Sequence, residues 1–191
     1  MTLEDQTVSV LTAAAEIVNA YGGGTPLPCN IAACWLPELR HQDVAEVHAV
    51  LRRLLVGPSD QKVRAVNRVL RDLHSIPSLV QHDSLGWHLH AAPSDAPQTT
   101  RILAESALVM AEVLRRGETG RIRVCAAPAC QRLLVDLTRN QSRRYCGIRC
   151  GNRVAAAAHR GRSQVTADPE RCAGMDATIP MPPGGVRMES R

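Results

Sequence analysis

Two cysteine pairs, Cys125-x4-Cys130 and Cys146-x3-Cys150, are separated by fifteen residues, and no other feature of the sequence limits the fold of this chain so strongly. Two loops that each present two sulfurs can close on one tetrahedral ion, and the residues between them can form the strand-turn-strand that brings the loops together. A segment of about 40 residues buries too little apolar surface to fold alone, so the ion would supply much of its folding free energy. The spacing therefore predicts one structural Zn2+ per chain, held by Cys125, Cys130, Cys146 and Cys150 as thiolates. The pairing argues against four cysteines that are only small buried hydrophobes. Cys29-x4-Cys34 repeats the first spacing without a second pair nearby and reads as ordinary buried thiols, and Cys172 has no assigned role.

The charge distribution sets this segment apart as well. The chain of 191 residues carries a net +5, but residues 1–120 hold ten basic and thirteen acidic groups, for −3. Residues 121–163 hold ten arginines against the single acid Asp136, for +9, and residues 164–191 return to −1. Four thiolates with one divalent ion would leave the middle segment near +7, a density that attracts polyanions. Of the 23 basic residues only Lys62 is lysine, which reads first as coding bias, so the clustering of arginine carries more weight than its abundance. Phenylalanine is absent and the aromatics are Trp35, Trp87, Tyr21 and Tyr145, which argues against a base-stacking platform for single strands. No apolar run approaches about 18 residues, and Met1-Thr2-Leu3-Glu4-Asp5 lacks a signal-peptide pattern, so a cytoplasmic protein with no membrane partner is expected.

Hydrophobic periodicity predicts a mostly α, α+β chain: a helical N-terminal domain with a small β element, followed by a small zinc-bound hairpin and helix. A first amphipathic helix runs from Leu3 to Tyr21 and stops at Gly22-Gly23-Gly24. Pro26 to Leu39 is turn-rich, with Trp35 and Leu36 as anchors. Asp43 and Glu46 suggest a capping box for a helix that ends at Gly57-Pro58, and Ser59 is placed as the cap of a third helix. Alternation at Leu85, Trp87 and Leu89 predicts a strand with these residues inward and Gly86, His88 and His90 on its polar face. A long helix follows from about Thr100 to Arg116, closed by Gly117. Arg121–Val124 and Leu133–Val135 read as short strands, and Gly147 to about Arg160 as an alanine-rich helix. The domains are set at 1–120 and 121–163, with 164–191 read as a disordered tail.

Cys125 to Cys130, Asp136-Leu137-Thr138-Arg139-Asn140, Arg143-Arg144-Tyr145-Cys146 and Cys150-Gly151-Asn152-Arg153 together resemble the CGNR zinc-finger family of bacterial proteins. The helical portion before them is similar to the ABATE domain that usually precedes that finger. The resemblance implies a stress-related transcription regulator, with an effector-sensing N-terminal domain and a DNA-binding finger. The chain departs from the family pattern twice. Leu134-Val135-Asp136 lacks an aromatic before the aspartate, and Glu16-Ile17-Val18-Asn19-Ala20 stands for an aspartate-phenylalanine-valine-asparagine-threonine motif.

The expectation is a non-enzymatic regulator whose partners are double-stranded DNA, a small-molecule effector and a second copy of the chain. Arg149, Arg153 and Arg160 fall on one helical face at spacings of four and seven, with Arg143 and Arg144 just before the helix. These five and Asn152 are the candidate DNA contacts, although a solvated basic face and a zinc-supporting Asn152 are the plainer alternatives. Asn19 and Trp87 are the candidate walls of an effector pocket. Gly151 is expected to let the backbone pass close to sulfur. The rival functions are an adaptor that binds RNA or an acidic protein surface, and an enzyme with a structural zinc appendage. No phosphate loop, nucleophile elbow or His-Glu-x-x-His pattern supports the latter.

Overall fold

The computed structural model describes residues 5–23, 41–81 and 86–166. The expected turns around Trp35 and Leu36, the Cys29 and Cys34 pair, Leu85, Cys172 and the tail from residue 167 lie outside them. Helices α1 (Asp5–Gly23), α2 (His41–Leu55), α3 (Ser59–Asp72) and α4 (Gln98–Arg115) enclose the main core. Two short antiparallel pairs accompany them: β1 (Ser78–Gln81) with β2 (Trp87–His90), and β3 (Ile122–Val124) with β4 (Leu133–Val135). The last helix, α5, spans Ile148–Thr166. The chain divides into two compact units, Met1–Asn152 and Arg153–Arg191.

The apolar spacing in α1 resolves into one buried stripe of Val10, Leu11, Ala14, Ile17 and Val18, which meets Leu51 and Leu54 of α2 and Ile102 and Met110 of α4 in one core. Gly117 ends α4 with φ +70, where a residue without Cβ is unstrained, and Glu118 N–H reaches back to the Val113 carbonyl at 3.0 Å. The β3–β4 hairpin contributes Ile122, Leu133 and Val135 to the same core as the helices. The boundary drawn at 120/121 therefore falls between stretches of chain that share apolar packing.

Several local expectations need correction. Asp43 lies inside α2 rather than at its cap, since the helix is already formed at His41. Pro58, not Ser59, occupies the cap position of α3, and no side chain bonds there. The last helix runs to Thr166 and so extends past the expected end near Arg160. The largest reversal is in β2. Trp87 is 67% exposed and Leu89 44%, whereas His88 is buried. Alternation defines two faces but not which one meets the core. Here the inward histidine satisfies its polar atoms: His88 Nδ1 lies 2.9 Å from the Gly86 carbonyl, and its Nε2 lies 3.1 Å from His90 Nε2. The strand partner of β2, with Leu79 opposite Leu89 and Val80 opposite His88, had no signal in the sequence reading.

Candidate metal centre

Cys125 follows β3, Cys130 sits in the β3–β4 turn, Cys146 precedes α5, and Cys150 lies in its first turn. All four sulfurs fall within 4.8 Å of one another, and none is in a disulfide. The Sγ separations Cys130 to Cys146, Cys146 to Cys150 and Cys150 to Cys130 are 3.8, 3.7 and 3.9 Å. A tetrahedron with metal–sulfur bonds of about 2.3 Å has edges of about 3.8 Å, so these three edges have the length that zinc requires. The chain thus carries a four-thiolate site for one structural zinc, as the spacing predicted.

Backbone bonds hold the two loops together. Cys146 N–H donates to Cys125 Sγ at 3.3 Å, Ala126 N–H to the Arg144 carbonyl at 2.9 Å, and Cys125 N–H to the Arg132 carbonyl at 2.9 Å. Burial raises the Cys125 thiol, but the N–H groups of Ala127 and Cys146 outweigh it and bring the thiol down to about 7. Burial and the surrounding thiols push Cys146 up to about 12. A divalent cation would reverse that penalty by charge attraction. Gly151 has a different neighbour from the one expected, since a Cβ there would meet the Tyr145 ring edge at 3.4 Å and not a sulfur.

Between the cysteine pairs, Asp136 is fully buried and organises the connecting loop. Its carboxylate accepts from Thr138 N–H at 2.9 Å, the Thr138 hydroxyl at 2.6 Å and Arg143 N–H at 2.7 Å, and Arg123 approaches at 3.4 Å. Burial alone would raise its pKa, but these bonds outweigh it and hold the carboxyl below its usual 3.8. In sequence Asp136 stood out as the sole acid of a basic segment and as the first residue of the Asp136–Asn140 motif, with no internal role assigned to it. That isolation was the available signal, because a lone acid among ten arginines invites an internal role.

The arginines divide into two groups. Arg121 is buried, bonded to Glu118 at 2.7 Å and to the carbonyls of Asp136 and Thr138 at 3.0 Å. Arg123 is tied to Asp136, and Arg132 pairs with Glu16 of α1 at 3.5 Å. These three serve the fold. Arg143, Arg144, Arg149, Asn152, Arg153 and Arg160, the sequence candidates for DNA contact, are all exposed, as are Arg139 and Arg162. Arg143 has a second task, donating to the carbonyls of Tyr145 at 3.3 Å and Cys146 at 2.9 Å. Arg144 lies over the Tyr145 ring, 5.9 Å from its centroid.

Asn19 and Trp87 are not brought together. Asn19 is buried near the end of α1, with its carboxamide bonded to the backbone of Leu133. Strand β2, which bears Trp87, meets the opposite end of α1, where Gln6 donates to the Leu89 carbonyl at 3.2 Å. Thirteen residues of helix separate Gln6 from Asn19, about 20 Å of axis.

Comparison with known families matches residues 121–163 to the CGNR zinc finger. Residues 5–117 match the ABATE family, whose description reads "Putative stress-induced transcription regulator". No curated protein matches the chain. Among the described residues no helix is long and apolar enough to cross a membrane.

Proposed function

Since the chain belongs to the ABATE family and carries a CGNR zinc finger after that domain, we propose that it is a bacterial transcription regulator that binds double-stranded DNA through the finger, without catalysis. The carrying observation is the set of exposed arginines on the zinc module, with no acidic residue between Leu137 and Ala167 to neutralise them. Zinc ties the loop before the last helix to that helix's first turn, so that the guanidiniums of Arg143, Arg144 and Arg149 meet phosphates with little ordering cost. The N-terminal domain senses a small effector, and the protein works at the nucleoid in the cytoplasm.

Five phosphate contacts, one for each of Arg143, Arg144, Arg149, Arg153 and Arg160, correspond to a log-log salt slope near −4.5 for one finger and about twice that for a dimer. Genome-wide DNA pull-down with the zinc-loaded protein tests the reading. Enrichment at a few promoters supports it. Affinity that stays flat from about 50 to about 300 mM salt, or survives loss of all five arginines with zinc retained, overturns it in favour of an adaptor or an enzyme.

A further inference from the structure

Helices α2 and α3 leave an open groove of about 780 Å³ between them, a size suited to a small organic ligand. Its floor is apolar, built from Val50, Val69, Leu73 and Leu103. Four arginines also line it, Arg52 and Arg53 from α2 and Arg64 and Arg68 from α3, against two carboxylic acids, Glu46 and Asp72. Arg64 is committed to Asp60 at 2.6 Å, whereas Arg52, Arg53 and Arg68 make no ion pair among the described residues. Guanidiniums above an apolar floor, within a domain whose net charge is negative, are a local reversal of sign that selects an anion with an apolar body.

A second cavity of about 430 Å³ shares two walls with the groove, His48 and Arg52. Its other walls are Val18 and Asn19 on α1 and the turn Ala129 to Arg132, which includes the zinc ligand Cys130. His48 packs on Tyr21 of α1, with ring centroids 4.7 Å apart. Burial and the adjacent Arg52 hold its pKa below the ordinary value. One arginine thus lines both the groove and the cavity that the turn bearing Cys130 also lines.

From this arrangement we propose that the α2–α3 groove binds a small amphipathic carboxylate, its apolar part on Val69 and Leu103 and its anionic head on Arg52 and Arg68, and that Arg52 carries its presence to the zinc-binding turn. The assignment rests on the sensor half of the function proposed above and names the site and the ligand chemistry. Pairing with a carboxylate draws the Arg52 guanidinium into the groove and away from the Cys130 turn, which changes the cavity between them. By linkage, any factor by which the ligand alters DNA affinity is the factor by which DNA alters ligand affinity.

The test uses the full-length zinc-loaded protein and three probes of equal chain length, octanoate, octanol and octylamine. Calorimetry is expected to show octanoate binding about tenfold more tightly than octanol, and octylamine binding least. The His48 ring resonances shift on adding octanoate. Arg52→Gln and Arg68→Gln each weaken octanoate about tenfold while Arg139→Gln, on the finger loop, leaves it unchanged. Arg68 is exposed, so its variant still reads the site if Arg52→Gln does not fold. Equal binding of octanoate and octanol, or octanoate affinity unaffected in the Arg68 variant, overturns the site. Octanoate that binds without changing DNA affinity overturns the Arg52 link and leaves DNA binding standing. Octanoate binding in a protein that binds no DNA supports the site and overturns the function proposed above.

Discussion

The carboxamide of Asn19 holds the backbone of Leu133 by both ends: Nδ2 donates to the Leu133 carbonyl at 3.0 Å, and Oδ1 accepts its N–H at 2.7 Å. These residues are 114 positions apart, one on the first helix and one on the strand between the zinc-binding loops. Asn19→Leu would leave both backbone groups buried without partners, at a cost on the order of 3 kcal/mol. Urea unfolding is expected to show that loss, with stoichiometric zinc retained at low denaturant. Stability within about 0.5 kcal/mol of wild type would mean that the bond pair does not join helix to hairpin.

Metal content should follow the four-thiolate site. Cys150→Ser removes one corner of a cage whose Sγ edges at Cys150 are 3.7 and 3.9 Å, and zinc measured after gel filtration should drop well below one per chain. Full occupancy in that variant would remove Cys150 from the site. Because the thiols must lose protons to bind, zinc release in a competing chelator should accelerate as the pH falls.

Arg143 and Arg149 should separate in their effects. Arg149→Ala is expected to weaken binding to all DNA sequences alike and to flatten the salt slope by about one unit. Arg143→Ala should do the same and also hasten zinc loss, because it removes the bonds to the Tyr145 and Cys146 carbonyls. Arg153→Ala should in addition relax preference at one guanine. Fluorescence anisotropy over a salt series, paired with chelator competition, distinguishes the three. Equal zinc retention in the Arg143 and Arg149 variants would show that the Arg143 strut does not support the site.

Asp136 gives a pH signature with a definite sign. Its carboxyl is depressed below 3.8 in the fold, so its contribution is present at neutral pH and is lost only as the pH falls through that lower value. Asp136→Asn places an amide donor against one of the two backbone N–H groups that the carboxylate accepts on separate oxygens, costing about 1–3 kcal/mol. The stability gap between wild type and variant should stay constant from about pH 8 to about pH 5.5. A gap that narrows already near pH 6 would contradict the depressed carboxyl.

Glu105 should behave in the opposite sense. Burial raises its pKa above 4.5, and one oxygen, Oε2, is buried without a hydrogen-bond partner among the described residues, while Oε1 accepts Ala91 N–H at 2.9 Å. Stability tied to this group is full below its unfolded pKa and falls as the pH rises through the raised one. Glu105→Gln keeps the Ala91 bond without the charge, so the variant should melt higher than wild type near pH 8. Equal or lower melting there would show that the charge is accommodated.

The metal site, the helices and the β3–β4 strands were legible in the sequence because each depends on residues close along the chain. A helix needs only its own spacing of apolar residues, and two cysteine pairs on short loops need only a turn between them to meet. What lay beyond the sequence were matters of facing and distance. Alternation around Trp87 and His88 marks a strand, but burial of the histidine depends on the polar partners that a core histidine finds, and the partner strand Ser78–Gln81 supplies the other half of the sheet. Asn19 gave no sign that its partner was Leu133, since a side-chain bond to backbone leaves no trace in the partner's identity: any residue at 133 offers the same N–H and carbonyl. The arginines show the same division. Their clustering was visible as charge, but the turning inward of Arg121, Arg123 and Arg132 was decided by carbonyls and carboxylates that only the folded chain brings within reach.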